Sequence, residues 1–273
     1  GCLMMALCLI FARGLLKPFF GSIADDVMAA GLIYLRITAL SFPFIALYNA
    51  GAAIFRSVGN SKVSMQVSLW MNGINVAGNA LCVFVLKMGV AGAGWATLIS
   101  QLISGLLCLV YMAKKFPILH LKRENLRLRP FCARRLLVMG LPMGMQYSIT
   151  AIGSILLQTA VNGLGPVAMA AVAASSKVTN LFATPYDAMG TMAATYAGQN
   201  LGAGKLDRVK EGVRDCGILG LIYFVIAMAS MYFGGAQMAS LFLDSGDAAS
   251  ASEILPLARQ MLVTNAAFYI PLL

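Results

Sequence analysis

Asn180, Thr184, Asp187 and Thr191 fall within one apolar stretch, "TNLFATPYDAMGT", residues 179–191. At about 100° per residue the four share a helix face. Pro185 sits among them, and a proline inside a helix leaves a backbone carbonyl without its amide donor. A carboxylate, an amide, two hydroxyls and a freed carbonyl are oxygen-rich ligands of the kind that hold a hard cation or relay a proton. A charge inside a membrane helix costs about 2.5–3.5 kcal/mol on insertion scales, so Asp187 needs a reason to be there. Two readings stand: a coupling site for Na⁺ or H⁺, or a solvated or ion-paired acid nearer the helix end. Lys177 lies ten residues earlier, about 15 Å along the axis. That is too far for a direct pair, so it lines a cleft or meets an acid elsewhere.

A second polar stripe crosses the uncharged run Val63–Leu86. Ser68, Asn72, Asn75 and Asn79 repeat at spacings of four, three and four, and the three amides fall within about 60° of one another. Such amides either face a wet cavity or bond to a neighbouring helix, the latter worth about 0.6–2 kcal/mol per contact. Both readings apply to Asn72 and Asn79 as cleft residues; Asn75 fits the interhelical one. No covalent chemistry emerges. The one histidine, His120, lies in a basic loop, and the six cysteines form no C-x-x-C pair, so neither a catalytic triad nor a metal site is expected. "GQNLGAGK" imitates a phosphate loop, but Gln199 stands where the first glycine belongs and Leu206 follows the lysine.

The elements that must position these residues are membrane helices. Of 273 residues, 60% are hydrophobic and 11% charged, and the mean hydropathy is +0.81, whereas soluble domains carry about 25% charge. Apolar segments span about 1–20, 28–54, 63–86, 89–112, 136–161, 166–197, 213–243 and 254–273, an all-α bundle of eight. Residues 136–176 are one uncharged run, broken for turning by "NGLGP" at 162–166. The net charge of +10 concentrates in every second loop: Arg56 and Lys62, then residues 114–135, then Lys205, Arg208, Lys210 and Arg214. This alternation places those loops in the cytoplasm and makes the charge a topology signal, with no nucleic-acid partner. Residues 1–112 and 136–273 form two membrane parts joined by a basic linker, 113–135. A weak internal repeat, Tyr34–Leu47 against Leu257–Leu273 with Arg36 over Arg259, fits two similar lobes. The chain starts and stops inside apolar segments and is expected to be an internal piece that does not transport alone.

"GVAGAGWATLIS" (89–100), "GLPMGMQYSITAIGS" (140–154), "FRSVGNSK" (55–62) and above all "GQNLGAGKLDRVKEG" (198–212) resemble the multidrug and toxic compound extrusion (MATE) family. The resemblance covers essentially the whole chain. It implies two lobes of six helices around a central cleft, with this chain running from the third helix to the tenth. It also implies a monomeric, multi-pass exporter in the bacterial inner membrane, without cofactor. That exporter would move amphipathic or cationic small molecules by alternating access, against Na⁺ or H⁺. Within it, the helix at 63–86 is the fifth and looks into the first lobe, and Asn79 stands where many relatives carry Asp or Asn. Gln146, Ser148 and Thr150 replace a glutamate that some relatives place in the seventh helix, which makes Gln146 and Thr150 cleft residues without a titratable group. The coupling ion therefore stays open. An alternative of the same architecture is a flippase or exporter of lipid-linked saccharides, for which Lys177 and Arg36 would supply a basic cleft. A membrane-embedded enzyme or a channel lacks the residues it would need.

Overall fold

The computed structural model describes residues 1–20, 25–116, 129–243 and 251–267. His120 with most of the basic linker, residues 244–250 of the acidic loop, and the repeat's last residues, 268–273, lie outside them. All regular structure among the described residues is helical, and the chain divides into two compact units, Gly1–Arg127 and Leu128–Leu273.

Unit 1 holds α1 (Cys2–Ile10), α2 (Ala12–Phe20), α3 (Asp25–Ala39), α4 (Phe42–Ser57), α5 (Ser61–Asn79), a π-helical segment (Ala80–Val85) and α6 (Gly89–Lys115). Two apolar segments thus become helix pairs. The α3–α4 pair bends by 44°, at a point where Pro43 occupies the first turn of α4 and has no N–H to donate to a preceding carbonyl. At the bend the Thr38 carbonyl accepts from both the side chain of Ser41, at 2.6 Å, and its N–H, at 3.0 Å. Helix α6 packs on α3, α4 and α5 through a row of small buried residues, among them Gly92, Ala96, Ser100, Ser104 and Cys108. Small side chains let helix axes approach closely where lipid offers no hydrophobic drive to associate. At Gly51 of α4 a Cβ would stand 2.8 Å from the Cβ of Cys108. The backbone contact itself needs glycine there.

Unit 2 holds α7 (Pro130–Asn162), α8 (Pro166–Gly202), α9 (Leu206–Ser240) and α10 (Ala251–Ala267). The α7–α8 turn falls on "NGLGP": Gly165 adopts φ 93°, which a side chain disfavours, and Pro166 opens α8. The core is the α8–α9–α10 seam, with Ala171, Ala174, Val178, Ala239, Ile254, Ala258 and Leu262. Helix α7 contributes one buried residue, Val161.

Among the described residues, four helices, counting α5 with its π segment, are long and apolar enough to cross a bilayer by length and composition, and the bent α3–α4 pair makes a fifth. Eight apolar segments led to an expectation of more. The shortfall has local causes: α1 and α2 are 9 residues each, α10 has 17, and the polar stripe of α8 lowers its hydropathy. The all-helical class stands. The linker expected at 113–135 is entered from both sides, since α6 runs to Lys115 and α7 starts at Pro130.

Candidate functional site

In unit 1 the amide stripe divides. The Asn75 side chain crosses to α6, its Nδ2 donating to Thr97 Oγ1 at 3.4 Å and Ser100 Oγ at 3.3 Å. Asn79 Nδ2 donates to Asn75 Oδ1 at 3.0 Å. Both hydroxyls give their own protons to backbone carbonyls one turn back, Thr97 to Ala93 and Ser100 to Thr97. Each is thereby oriented to accept from Asn75. One acceptor is left over: Asn79 Oδ1 is buried and meets no donor among the described residues. The backbone turns π-helical at the next residue, Ala80, and π turns recur at functional sites because they offset the regular ladder. An unsatisfied buried amide oxygen costs about 1–3 kcal/mol, so this oxygen is poised for water, a protonated group or a cation. Asn72 does not join the cluster. It is exposed, and its Nδ2 donates to the Ser68 carbonyl at 3.1 Å.

In unit 2 the four-residue stripe of α8 keeps to itself. Asn180, Thr184, Asp187 and Thr191 are all exposed. Thr184 Oγ1 donates to Asn180 O at 2.8 Å and Thr191 Oγ1 to Asp187 O at 3.0 Å. The hydroxyl protons are thus turned inward, and the oxygen lone pairs are left on the face that carries the carboxylate. Pro185 lies inside α8. Beside it, the Phe182 carbonyl receives the Tyr223 hydroxyl of α9 at 3.1 Å. Tyr223 also meets Tyr186 edge-on, centroids 5.0 Å apart, so the turn that carries Pro185 is held from α9. The helix Pro166–Gly202 is centred on Thr184, which puts Asp187 three residues, about 4.5 Å, past mid-helix. Among the described residues, the hydroxyls of the stripe bond within α8.

These features sit in a chain whose likenesses are consistent. The MatE family profile matches residues 1–81 and 142–273. The chain belongs to the MatE family. Among relatives, a probable multidrug resistance protein of Bacillus subtilis, YoeA, is 28% identical over 228 residues, 80% of this chain and 49% of its own. The multidrug export protein MepA of Staphylococcus haemolyticus is 34% identical over 104 residues, 36% of this chain and 23% of its own. The MatE chain thus spans about half the length of YoeA. A crystal structure of a MATE protein in a bent conformation covers 99% of the chain, with a TM-score of 0.85, 18% identity and 58% of its own length. A MOP superfamily transporter from Pyrococcus furiosus, described as having a binding pocket of reversed polarity, covers 97% at a TM-score of 0.83 and 18% identity, 57% of its own length. At such identities these structures establish the shared fold, an all-helical bundle.

The other expected MatE site residues are less constrained. Gln146 and Thr150 lie on the exposed α7, where Thr150 Oγ1 donates to the Gln146 carbonyl at 3.0 Å. Lys177 is exposed on α8 and stands over the Phe242 ring at 5.8 Å, a cation–π contact that keeps its charge in apolar surroundings. None of the expected residues lines the cleft of about 370 Å³ in unit 2, which is walled by Val161, Val172 and Met261 and edged by Gln260, Thr264 and Asn265. Those three polar residues recur at four and one along α10, a spacing readable in "RQMLVTN". Thr97 and Ser100 carry a fainter signal, since hydroxyls in a small-residue helix read first as packing.

Proposed function

We propose that the complete protein is a secondary active exporter of amphipathic or cationic drugs and metabolites. It works by antiport with Na⁺ or H⁺ in the inner membrane of a bacterial cell. No step makes or breaks a covalent bond in the cargo. Membership of the MatE family and the multidrug names of its relatives support the class. The observation that carries the coupling is Asp187, the one acid among the described residues in the middle of a helix rather than near its end. A carboxylate at that depth, flanked by the oxygens of Asn180, Thr184 and Thr191, binds a proton or a sodium ion with oxygen ligands alone. Its occupancy changes the charge of the α8 face by one unit, which gives an ion gradient something to act on. Asn72, Asn79, Gln146, Thr150 and Lys177 are assigned to the cargo path, with Asn79 Oδ1 as a second acceptor for a cation or a protonated cargo group.

The test uses the full-length protein in cells stripped of their own exporters, with ethidium accumulation followed under imposed Na⁺ or proton gradients. Exclusion that collapses with one gradient supports the reading and names the ion. Undiminished accumulation, with the protein demonstrated in the membrane, rejects ethidium-type export.

A further inference from the structure

Helices α8 and α9 are packed unevenly along their length. From Phe182 to Tyr186, α8 rests against a buried cluster of Phe224, Met231 and Ala266, and the Tyr223 hydroxyl donates to the Phe182 carbonyl at 3.1 Å. Toward the α8–α9 turn, Tyr196 lies so close to Gly212 that any side chain at 212 would meet its ring. Between these two contacts the seam opens. A gap of about 220 Å³ lies between Tyr186, Met189 and Gly190 of α8 and Val213, Cys216 and Gly217 of α9.

Two features of this gap need a reason. The first is its pair of glycines. Glycine is a poor helix former, and in a membrane helix it is usually repaid by close approach of a neighbour. Gly51 and Gly92 of unit 1 are repaid in that way, with Cys108 and Cys82 against them. A Cβ added at Gly190 or Gly217 would meet nothing within 4 Å. Side chains that line a gap also forfeit the dispersion contacts a packed seam would give them.

The second feature is position. Pro185 lies inside α8 and has no N–H for the Leu181 carbonyl, so the helix has lost one rung where the gap begins. The residues of α8 that line the gap, 186 to 193, lie at the height of the polar stripe, 180 to 191. They fall roughly 140° around the helix from it. Movement of this segment toward α9 therefore fills the gap and withdraws the polar face in the same step.

We infer that the gap is the space into which α8 closes, beyond Pro185, during the transport cycle. The contact of Tyr223 with the Phe182 carbonyl is the fulcrum, and Gly190 and Gly217 are the surfaces that meet. Closure gives both glycines the neighbour they lack here. This device rests on the export reading above and adds to it a moving part and a direction.

The test uses the full-length protein in the ethidium assay, with Gly190→Leu and Gly217→Leu filling the gap. Neither new side chain displaces an atom of the open form, so both variants unfold at the wild-type temperature or above it. Gradient-driven export slows by about ten- to a hundred-fold, the penalty of overpacking the closed form read as a rate. Gly73→Leu, equally open on α5, leaves export in place. A second readout follows the gap itself. Cys216, which lines it, is alkylated with N-ethylmaleimide and quantified by mass spectrometry of its own peptide. Labelling slows by about two-fold or more during export, as for a gap closed half of the time, and recovers when the gradient is collapsed. Wild-type export in both filled variants, an equal loss in Gly73→Leu, or a Cys216 rate that export does not change overturns the closure and leaves the export reading standing. Absence of gradient-driven export in the wild type rejects that reading and the closure with it. Should the leucine variants not reach the membrane, the Cys216 rate decides alone.

Discussion

Units 1 and 2 treat polar groups at membrane depth in opposite ways. In unit 1 the amides of Asn75 and Asn79 are bound to each other and across to Thr97 and Ser100. In unit 2 the hydroxyls of Thr184 and Thr191 bond only to their own helix, and Asp187 stands exposed. The first arrangement is neutral and held by a second helix, with one acceptor spare. The second carries an exposed carboxylate, and its hydroxyls bond within their own helix. A held neutral cluster selects by geometry, whereas an exposed carboxylate responds to an ion gradient. On the proposed reading, charge-dependent work falls to unit 2 and shape-dependent work to unit 1.

The comparison breaks most readily at Asp187. Asp187→Asn keeps the size and removes the charge, and it is expected to cut gradient-driven ethidium export by about ten- to a hundred-fold. That is the range of one lost interaction to a charged group. Asp187→Glu restores part of it. Export at the wild-type rate in Asp187→Asn would remove unit 2 from coupling. Next in size is Gly51→Ala. Its new methyl meets the Cβ of Cys108, which no rotamer change can move. Overpacking of this kind costs about 1–3 kcal/mol and appears as a lower unfolding temperature in detergent. Gly212→Ala is the control from unit 2: its methyl meets the ring of Tyr196, an exposed side chain that can swing aside, so its loss is smaller. Equal losses would show that unit 2 is packed as rigidly as unit 1.

Asn75→Leu tests the held cluster itself. It removes the bridge to Thr97 and Ser100 and deprives Asn79 Nδ2 of its acceptor. At about 0.6–1.7 kcal/mol per membrane hydrogen bond, a loss near 1 kcal/mol is expected in detergent unfolding. Ethidium export should fall less than in Asp187→Asn. A variant as stable as wild type would mean that α5 and α6 are joined by small-residue packing alone.

The helical class, the turn at "NGLGP" and the faces of both polar stripes were legible in the residues, because apolar length and a 100° step are local properties. Local rules also explain what was missed. The step from Ser68 through Asn72 and Asn75 to Asn79 places them on one face, but it cannot say that Asn75 meets α6 while Asn72 meets only its own backbone. That depends on which neighbour lies at which height. The π turn after Asn79 leaves no mark in an uncharged apolar run. The α3–α4 bend had a visible cause in Pro43, yet a proline near the middle of a segment reads equally as a kink or a break. On α8, Pro185 signalled a freed carbonyl, but not that a tyrosine from α9 would reach the turn beside it.

That tyrosine carries the smallest effect and the sharpest question. From α9 the Tyr223 hydroxyl reaches the proline-bearing stretch of α8, at the Phe182 carbonyl, 3.1 Å away. It makes a cross-helix side-chain bond near the stripe. Tyr223→Phe keeps the edge-on contact with Tyr186 and removes only that bond, so the expected stability loss is about 0.6 kcal/mol. If the bond merely staples α8 to α9, export should fall no further than that loss explains. If α8 must flex at Pro185 when Asp187 changes occupancy, releasing the staple alters the rate of ethidium export while leaving the unfolding temperature nearly unchanged. Measuring both on the same preparation separates the two. A rate effect without a stability effect would make the turn that carries Pro185, and not the exposed face alone, the reason the carboxylate sits so near mid-helix.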